Sequence, residues 1–293
     1  MNPVARLLSR APWRSEFAST KLFVEPCGIG NHILRYMFAM YLSERMPGST
    51  ISGYSMAPFG LVSSDNDRKG LLRIGRVHRV NVEKVMGSAR GRKGVLVDCY
   101  AARLEYFGKF RKEIGRRLRS SIAGLETSAD DLVISVRAAE ILNGIHPDYV
   151  PIPINFYSYL IKQFGLRPVF VGQIDSGFYG KALRERFPDA RFFKGEHWIE
   201  DFQTVRNAQN IVVSVSTFSW LAAWMSKTAR QIHLPVYGLF NPKQRPDIDL
   251  VPRHDDRYIL HELPIVKYTA SDEQIAAVVS TSNYVPSIYS NSG

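Results

Sequence analysis

Three short stretches of this 293-residue chain combine residue types that could grip an anion. In "CGIGN", Gly28, Gly30 and Asn31 stand just ahead of a long apolar-periodic run. Glycines let a backbone come close to a ligand with no Cβ in the way, and a helix N-terminus offers free N–H groups to phosphate or carboxylate. The pattern is neither G-x-G-x-x-G nor a P-loop, and a plain turn before a helix is the other reading. In "VISVRAAE", Arg137 ends an apolar strand, where its charge must find water or an anion. A guanidinium can hold two oxygens of a diphosphate at once, whereas an ion pair with Glu140 or Asp148 would make it structural. In "VVSVSTFSWLAAWMS", Ser216, Thr217 and the Phe218 backbone either cap a helix or cradle phosphate oxygens, and the tryptophans read as core. Asp175, in "VGQIDS", stands either at a nucleobase or at the surface of a βα loop.

All three stretches need a strand before them and a helix after them, and the chain supplies both in alternation. "KLFVE" reads as a strand, followed by a helix from Asn31 to Met46 whose apolar face carries Ile33, Leu34, Met37, Phe38, Tyr41 and Leu42. "STISGY" and "GVLVDCY" are further strands, and "LEYFGKFRKEIGRRLRSSI" reads as one helix with a basic outer face. "GLETSAD" interrupts the pattern and suggests a boundary near 124–129. Beyond it, "DLVISV", "PVFVG", "ARFF", "NIVVSV" and "RQIHLPV" alternate with helical segments, as in a doubly wound parallel sheet. A final helix begins after Ser271, a suitable N-cap. The expected organisation is a basic arm over 1–20, a first α/β domain over 21–127, a second over 128–268, and a helix with a polar, mobile tail over 269–293. Ligands of such folds bind outside the carboxyl ends of the strands. The first half would thus face the second across a cleft.

Charge is concentrated. Between Arg68 and Arg119 sixteen Lys and Arg oppose four acids, an excess of twelve in a chain whose net charge is +11. Such a stretch suits acidic saccharides, polyanions or an anionic membrane surface, or is simply a solvated face. It is accompanied by no nucleic-acid-binding module, so nucleic acid is not an expected partner. Two cysteines, Cys27 and Cys99, make no disulfide framework and suit a reducing cytoplasm, and no histidine or cysteine spacing suggests a metal site. The first twenty residues lack the apolar centre of a secretory signal, and no apolar run is long enough to span a membrane.

In their order along residues 21–240, these pieces resemble the fucosyltransferase superfamily, and most closely the bacterial α-1,2-fucosyltransferases of glycosyltransferase family 11. The family's Gly-x-Gly-Asn-Gln stretch is similar to "GIGNH", its Gly-Tyr-x-Gln-Ser-x-Lys-Tyr-Phe to "CYAARLEYF", its His-x-Arg-x-Gly-Asp to "SVRAAE", and its Asn-Ser-Ser-Phe-Ser-Trp-Trp to "VSTFSWLAAWM". Ser135 stands for the family His, Ala139-Glu140 for its Gly-Asp, His32 for its Gln and Ala102-Arg103 for its Gln-Ser. The resemblance implies a GT-B fold of two Rossmann-like domains. It also implies inverting, metal-independent transfer of fucose from GDP-fucose to a glycan hydroxyl in cell-surface polysaccharide or glycolipid synthesis, with no cofactor beyond the nucleotide-sugar donor. By position, Arg137 would stabilise charge on the departing diphosphate. Ser216, Thr217 and Phe218 would hold phosphate oxygens, and Gly28, Gly30 and Asn31 would face the reaction centre. His32, Tyr100 and Arg103 would lie on the acceptor side. Glu140, Asp148 and Glu25 are candidate bases by proximity, Glu140 being the one grouped with Arg137 and Asn31 as catalytic.

The basic stretch in the acceptor-side half suits an acidic or lipid-linked glycan acceptor, with a cytoplasmic enzyme resting on the inner membrane face. Two other expectations stand beside this one. A polysaccharide pyruvyltransferase-like enzyme would need no diphosphate grip at Arg137, and a non-catalytic relative would bind glycan or nucleotide without turnover.

Overall fold

A computed structural model describes residues 16–175, 177–282 and 285–288. Most of the basic arm expected over 1–20, and the end of the C-terminal tail, lie outside the described residues.

β1 (Lys21–Val24) is buried along Leu22, Phe23 and Val24 without alternation, the mark of a parallel strand covered on both faces. It leads through the glycine turn into α1 (Ile29–Arg45). β2 (Thr50–Ser52), a small hairpin of β3 (Ser55–Met56) and β4 (Leu61–Val62), β5 (Leu72–Ile74), α2 (Val82–Ala89) and β6 (Gly94–Val97) complete the first layer. Its sheet runs β2-β1-β6-β5, every pair parallel. A buried ion pair ties its carboxyl edge together. Arg35 of α1 meets Asp98, just after β6, at 2.8 Å and donates to the carbonyl oxygens of Glu25 at 2.8 Å and Asp98 at 3.1 Å. The turn carrying Gly28 to Asn31 leaves the sheet beside this clamp.

The single helix expected from Leu104 is broken into α3 (Leu104–Phe107) and α4 (Arg111–Arg117) by a 3-10 turn over Gly108–Phe110. The break falls where Phe107 leaves helical geometry, at φ −131°. Its ring stands edge-on to Trp224 and Trp220, with centroids 5.7 and 6.1 Å away. A tertiary contact has overridden a continuous helical seam.

The second layer begins with β7 (Asp131–Val136), buried at all six positions. There follow α5 (Ile154–Phe164), β8 (Arg167–Gly172), α6 (Gly177–Arg186), β9 (Arg191–Phe193), α7 (Trp198–Asn207), β10 (Asn210–Val212), α8 (Thr217–Met225), β11 (Gln231–Val236), β12 (Tyr258–Glu262), α9 (Asp272–Val279) and β13 (Ser287–Ile288). The sheet order is β13-β12-β11-β10-β7-β8-β9, parallel except for β13. Ser287 and Ile288, within the tail expected to be mobile, pair with Glu262 and His261 and extend the sheet by one short strand.

The two layers meet by more than a tether. Leu125 N donates to Thr204 Oγ1 at 2.7 Å, and Arg206, buried on α7, donates to the carbonyl oxygens of Gly115 at 2.6 Å and Leu118. Both sheets turn their strand C-termini toward one cleft, the GT-B arrangement. Among the described residues, no helix is long and apolar enough to cross a membrane.

Candidate functional site

A cavity of about 560 Å³ fills the cleft where β1, β7, β8 and β10 end. From the first layer it is lined by Gly28, Ile29, Gly30, Asn31, His78 and Tyr100. From the second come Ser135, Arg137, Glu140, Tyr149, Gln173, Trp198, Asp201 and the run Ser214 to Phe218. Cavities of this volume enclose small-molecule ligands.

Two helix N-termini converge on this space. α1 opens at Gly28 with no side-chain cap, and α8 opens at Ser216, whose hydroxyl accepts from Phe218 N at 3.2 Å. The ends touch: Thr217 Oγ1 donates to Asn31 Oδ1 at 3.1 Å. Each N-terminus carries about half a positive charge, together with N–H groups that have no intrahelical acceptor. Like ends placed together repel unless an anion sits between them. Neither first turn contains an acid.

The two glycines of the opening motif have different jobs. A Cβ on Gly30 would lie 2.6 Å from Thr217 Oγ1 and 2.8 Å from Phe218 N, so the close approach there is to α8 and not to a ligand. A Cβ on Gly28 would meet nothing within 4 Å, and its φ of −55° suits any residue. Gly28 is bare cavity wall.

Arg137 reaches the cavity but is paired there with Glu140, three residues on. The ion-pair reading is thus what this structure holds. Glu140 is 45% exposed and lines the same cavity, so the pair is a surface one and contributes about 0–1 kcal/mol. An interaction of that size leaves the guanidinium open to competition from another anion. The turn after Arg137 is bent: Ala139 adopts φ +48°, a left-handed conformation costly for a residue with a Cβ, and Gln173 Oε1 accepts from Ala138 N at 2.8 Å.

Other sequence candidates fall outside the cavity. His32 is buried with Nε2 accepting from Ser55 N at 3.0 Å; it braces the hairpin after β2. Arg103 is buried against Glu105 and donates to the Asp247 carbonyl oxygen at 3.1 Å, fixing one layer to the other. Asp175 is an exposed surface acid paired with Arg184 at 2.8 Å and Lys194 at 3.3 Å. Of the candidate bases, Glu25 pairs with Arg68 at 3.2 Å. Asp148 is enclosed by Lys267, Gln244 and Arg245 at 2.6, 2.7 and 3.3 Å. Neither lines the cavity. Tyr100, Asn31, Ser216, Thr217 and Phe218 do.

Two residues absent from the sequence-based site belong to it. Asp201, on the first turn of α7, lines the cavity beside Trp198. Burial raises its carboxyl above the ordinary range, while Gly195 N donating at 2.9 Å pulls it back. His78 stacks on Tyr100 with centroids 5.2 Å apart, and its Nδ1 is buried with no hydrogen-bond partner. Burial, then the nearby Arg245, pushes the imidazole down to about 4, so it is neutral at pH 7. Helical phase could have pointed to Asp201. Nothing local marks His78, which lies between Arg76 and Arg79 in a loop without periodicity.

No protein-family model matches the chain. No curated protein matches it either. Among solved structures it is similar to the ADP-heptose lps heptosyltransferase II of E. coli, at 12% identity over 89% of this chain and 98% of that one, with a TM-score of 0.40. At that similarity no residue role or substrate transfers from it.

Proposed function

We propose that the protein is a glycosyltransferase that binds a nucleotide-diphosphate sugar in the interlayer cavity and passes the sugar to a glycan hydroxyl with inversion. The observation that carries this reading is the meeting of two acid-free helix N-termini and the Arg137 guanidinium around one cavity. Few ligands other than a diphosphate make use of so many convergent donors.

In this reading the diphosphate bridges the starts of α1 and α8, and Arg137 leaves Glu140 to take a phosphate oxygen. The acceptor oxygen attacks the anomeric carbon from the opposite face. The bond between that carbon and the phosphate oxygen breaks, its electron pair stays on the nucleotide, and the helix ends with Arg137 stabilise the charge that develops there. The acceptor proton needs a base. The cavity offers His78, neutral and with an unpartnered ring nitrogen, and Glu140 once Arg137 has released it. His78 stands where an acceptor would enter, and diphosphate charge nearby raises its proton affinity from the low value of the empty site. Asp201 has one oxygen on Gly195 N and the other available to a nucleobase N–H, the task first considered for Asp175. GDP-fucose is the default donor on the resemblance, and a guanine edge would suit a carboxylate.

Thermal-shift titration with GDP, UDP, CDP, ADP and phosphoenolpyruvate tests the proposal. A nucleoside diphosphate at a hundred times its Kd should stabilise by about 2.7 kcal/mol, and Arg137→Ala should lose most of that gain. Stabilisation by none of the diphosphates refutes the donor site. Stabilisation by phosphoenolpyruvate alone supports the pyruvyltransferase alternative.

A further inference from the structure

A second cavity of about 450 Å³ opens beside the first and shares His78, Tyr100 and Tyr149 with it. It too is built from both layers. The first contributes Arg76 and Arg79, and the second contributes His146, Tyr149 and Arg245.

Its charge is unbalanced. Among the described residues Asp247 is the one acid in its wall, and both its oxygens are taken by Arg245 at 3.0 and 2.8 Å. Arg245 is therefore spent. Arg76 is 67% exposed, and its Nε lies 3.8 Å from Asp98, a carboxylate already held by Arg35 and Arg73. Arg79 makes no hydrogen bond or ion pair among the described residues. Two exposed guanidiniums thus line an opening whose one carboxylate is already taken by Arg245. Apart from Val77 the remaining wall is aromatic: His78 stacks on Tyr100, and His146 lies over Tyr149 with centroids 4.7 Å apart. Aromatic walls with a few placed polar groups suit a sugar ring, and exposed guanidiniums suit an oxyanion on it.

We infer that this second cavity is the acceptor subsite and that it takes a sugar carrying a phosphate or carboxylate, held by Arg76 and Arg79 with its nucleophilic hydroxyl directed past His78 into the donor cavity. The inference rests on the transferase reading for its role, though not for its chemistry. It also narrows the use of the basic stretch over 68–119. Of the basic residues in that stretch, Arg76 and Arg79 are the ones in the wall of this cavity.

Isothermal titration with glucose 1-phosphate, glucuronate and methyl glucoside tests it on the wild type, Arg79→Gln and Arg76→Gln/Arg79→Gln. At least one anionic probe should bind tenfold or more tighter than methyl glucoside, with the preference falling several-fold in the single variant and to within twofold in the double. Preference for glucose 1-phosphate alone assigns a phosphorylated acceptor, and for glucuronate alone a uronic acid. Arg79 bonds to nothing among the described residues, so its substitution leaves the fold intact, and an unchanged thermal midpoint verifies this. Equal or absent binding of the three probes overturns the inference, as does a preference that survives in the double variant. The nucleotide titration above is read separately. Arginine-dependent anion binding without nucleotide binding would sink the transferase reading and keep the site, and the reverse result would do the opposite.

Discussion

Gly30→Ala is expected to destabilise the protein without touching a ligand contact, and Gly28→Ala to do the reverse. The added methyl at Gly30 would sit 2.6 Å from Thr217 Oγ1, 2.8 Å from Phe218 N and 3.0 Å from the Thr217 carbonyl carbon. Two of these neighbours are backbone and cannot rotate away. Overpacking of this kind costs about 1–3 kcal/mol. Replacing glycine inside a helix returns about 0.5–1 kcal/mol, which leaves a net loss of about 0.5–2 kcal/mol. For a protein of this size that lowers Tm by about 1–8 °C. Adding Thr217→Ala removes the nearest neighbour but not the Phe218 amide, so it recovers only part of the loss. At Gly28 there is space and an ordinary φ, so Tm should hold within about 1 °C while the methyl narrows the cavity and weakens nucleotide binding about tenfold. Differential scanning calorimetry and nucleotide titration read the two variants side by side. A Gly30→Ala protein as stable as wild type, or a Gly28→Ala protein that melts early, would refute the assignment of one glycine to helix contact and the other to the cavity.

Glu140→Gln should free Arg137 and tighten diphosphate binding by up to about fivefold, the worth of an exposed ion pair; weaker binding by calorimetry would show that Glu140 positions the guanidinium instead. Asp98→Asn leaves the buried Arg35 charge without its carboxylate and should cost about 3–5 kcal/mol by denaturant unfolding, where a loss under about 1 kcal/mol would deny the clamp its role. Ala139→Gly relieves a left-handed residue and should raise Tm by a few degrees, about 1 kcal/mol at most after the entropy cost of glycine. The buried pair His233 and His261, 3.0 Å apart, is held neutral by burial at about 3 and about 4, against 6.5 when exposed. With folded values below unfolded ones, the pair's contribution is full above pH 6.5 and fades as pH falls toward 4 and then 3. Each histidine removes up to about 1.4 kcal/mol per pH unit in that window. Urea melts between pH 7 and 5 should show this slope, and His233→Leu/His261→Phe should flatten it.

Much of the frame was legible because its signals are local. Continuous apolar runs such as "DLVISV" announce strands covered on both faces, and the hydroxyls of Ser216 and Ser271 cap helices that begin one residue later. The gathering of Gly28, Asn31, Arg137 and Thr217 was legible for a topological reason. In a parallel α/β layer every strand ends on the same edge, so residues just after strands share it.

What stayed hidden depends on the direction of side chains and on distant partners. His32 and Arg103 follow apparent site motifs yet turn inward, because a hairpin amide and a carbonyl of the other layer claim them. Asp175 and Asp201 both follow strands of the second layer, and only packing decides that Arg184 and Lys194 hold the first outside while α7 carries the second into the cavity. His78 sits in a loop whose course no periodicity reveals. The sequence by itself determined the elements, their parallel winding and the concentration of positive charge, since each follows from neighbours a few residues apart. Only the tertiary structure decided that Gly30 yields to Thr217, that Arg137 rests on Glu140, and that Arg76 and Arg79 face a second opening, because those contacts follow from how two separately wound layers are placed together.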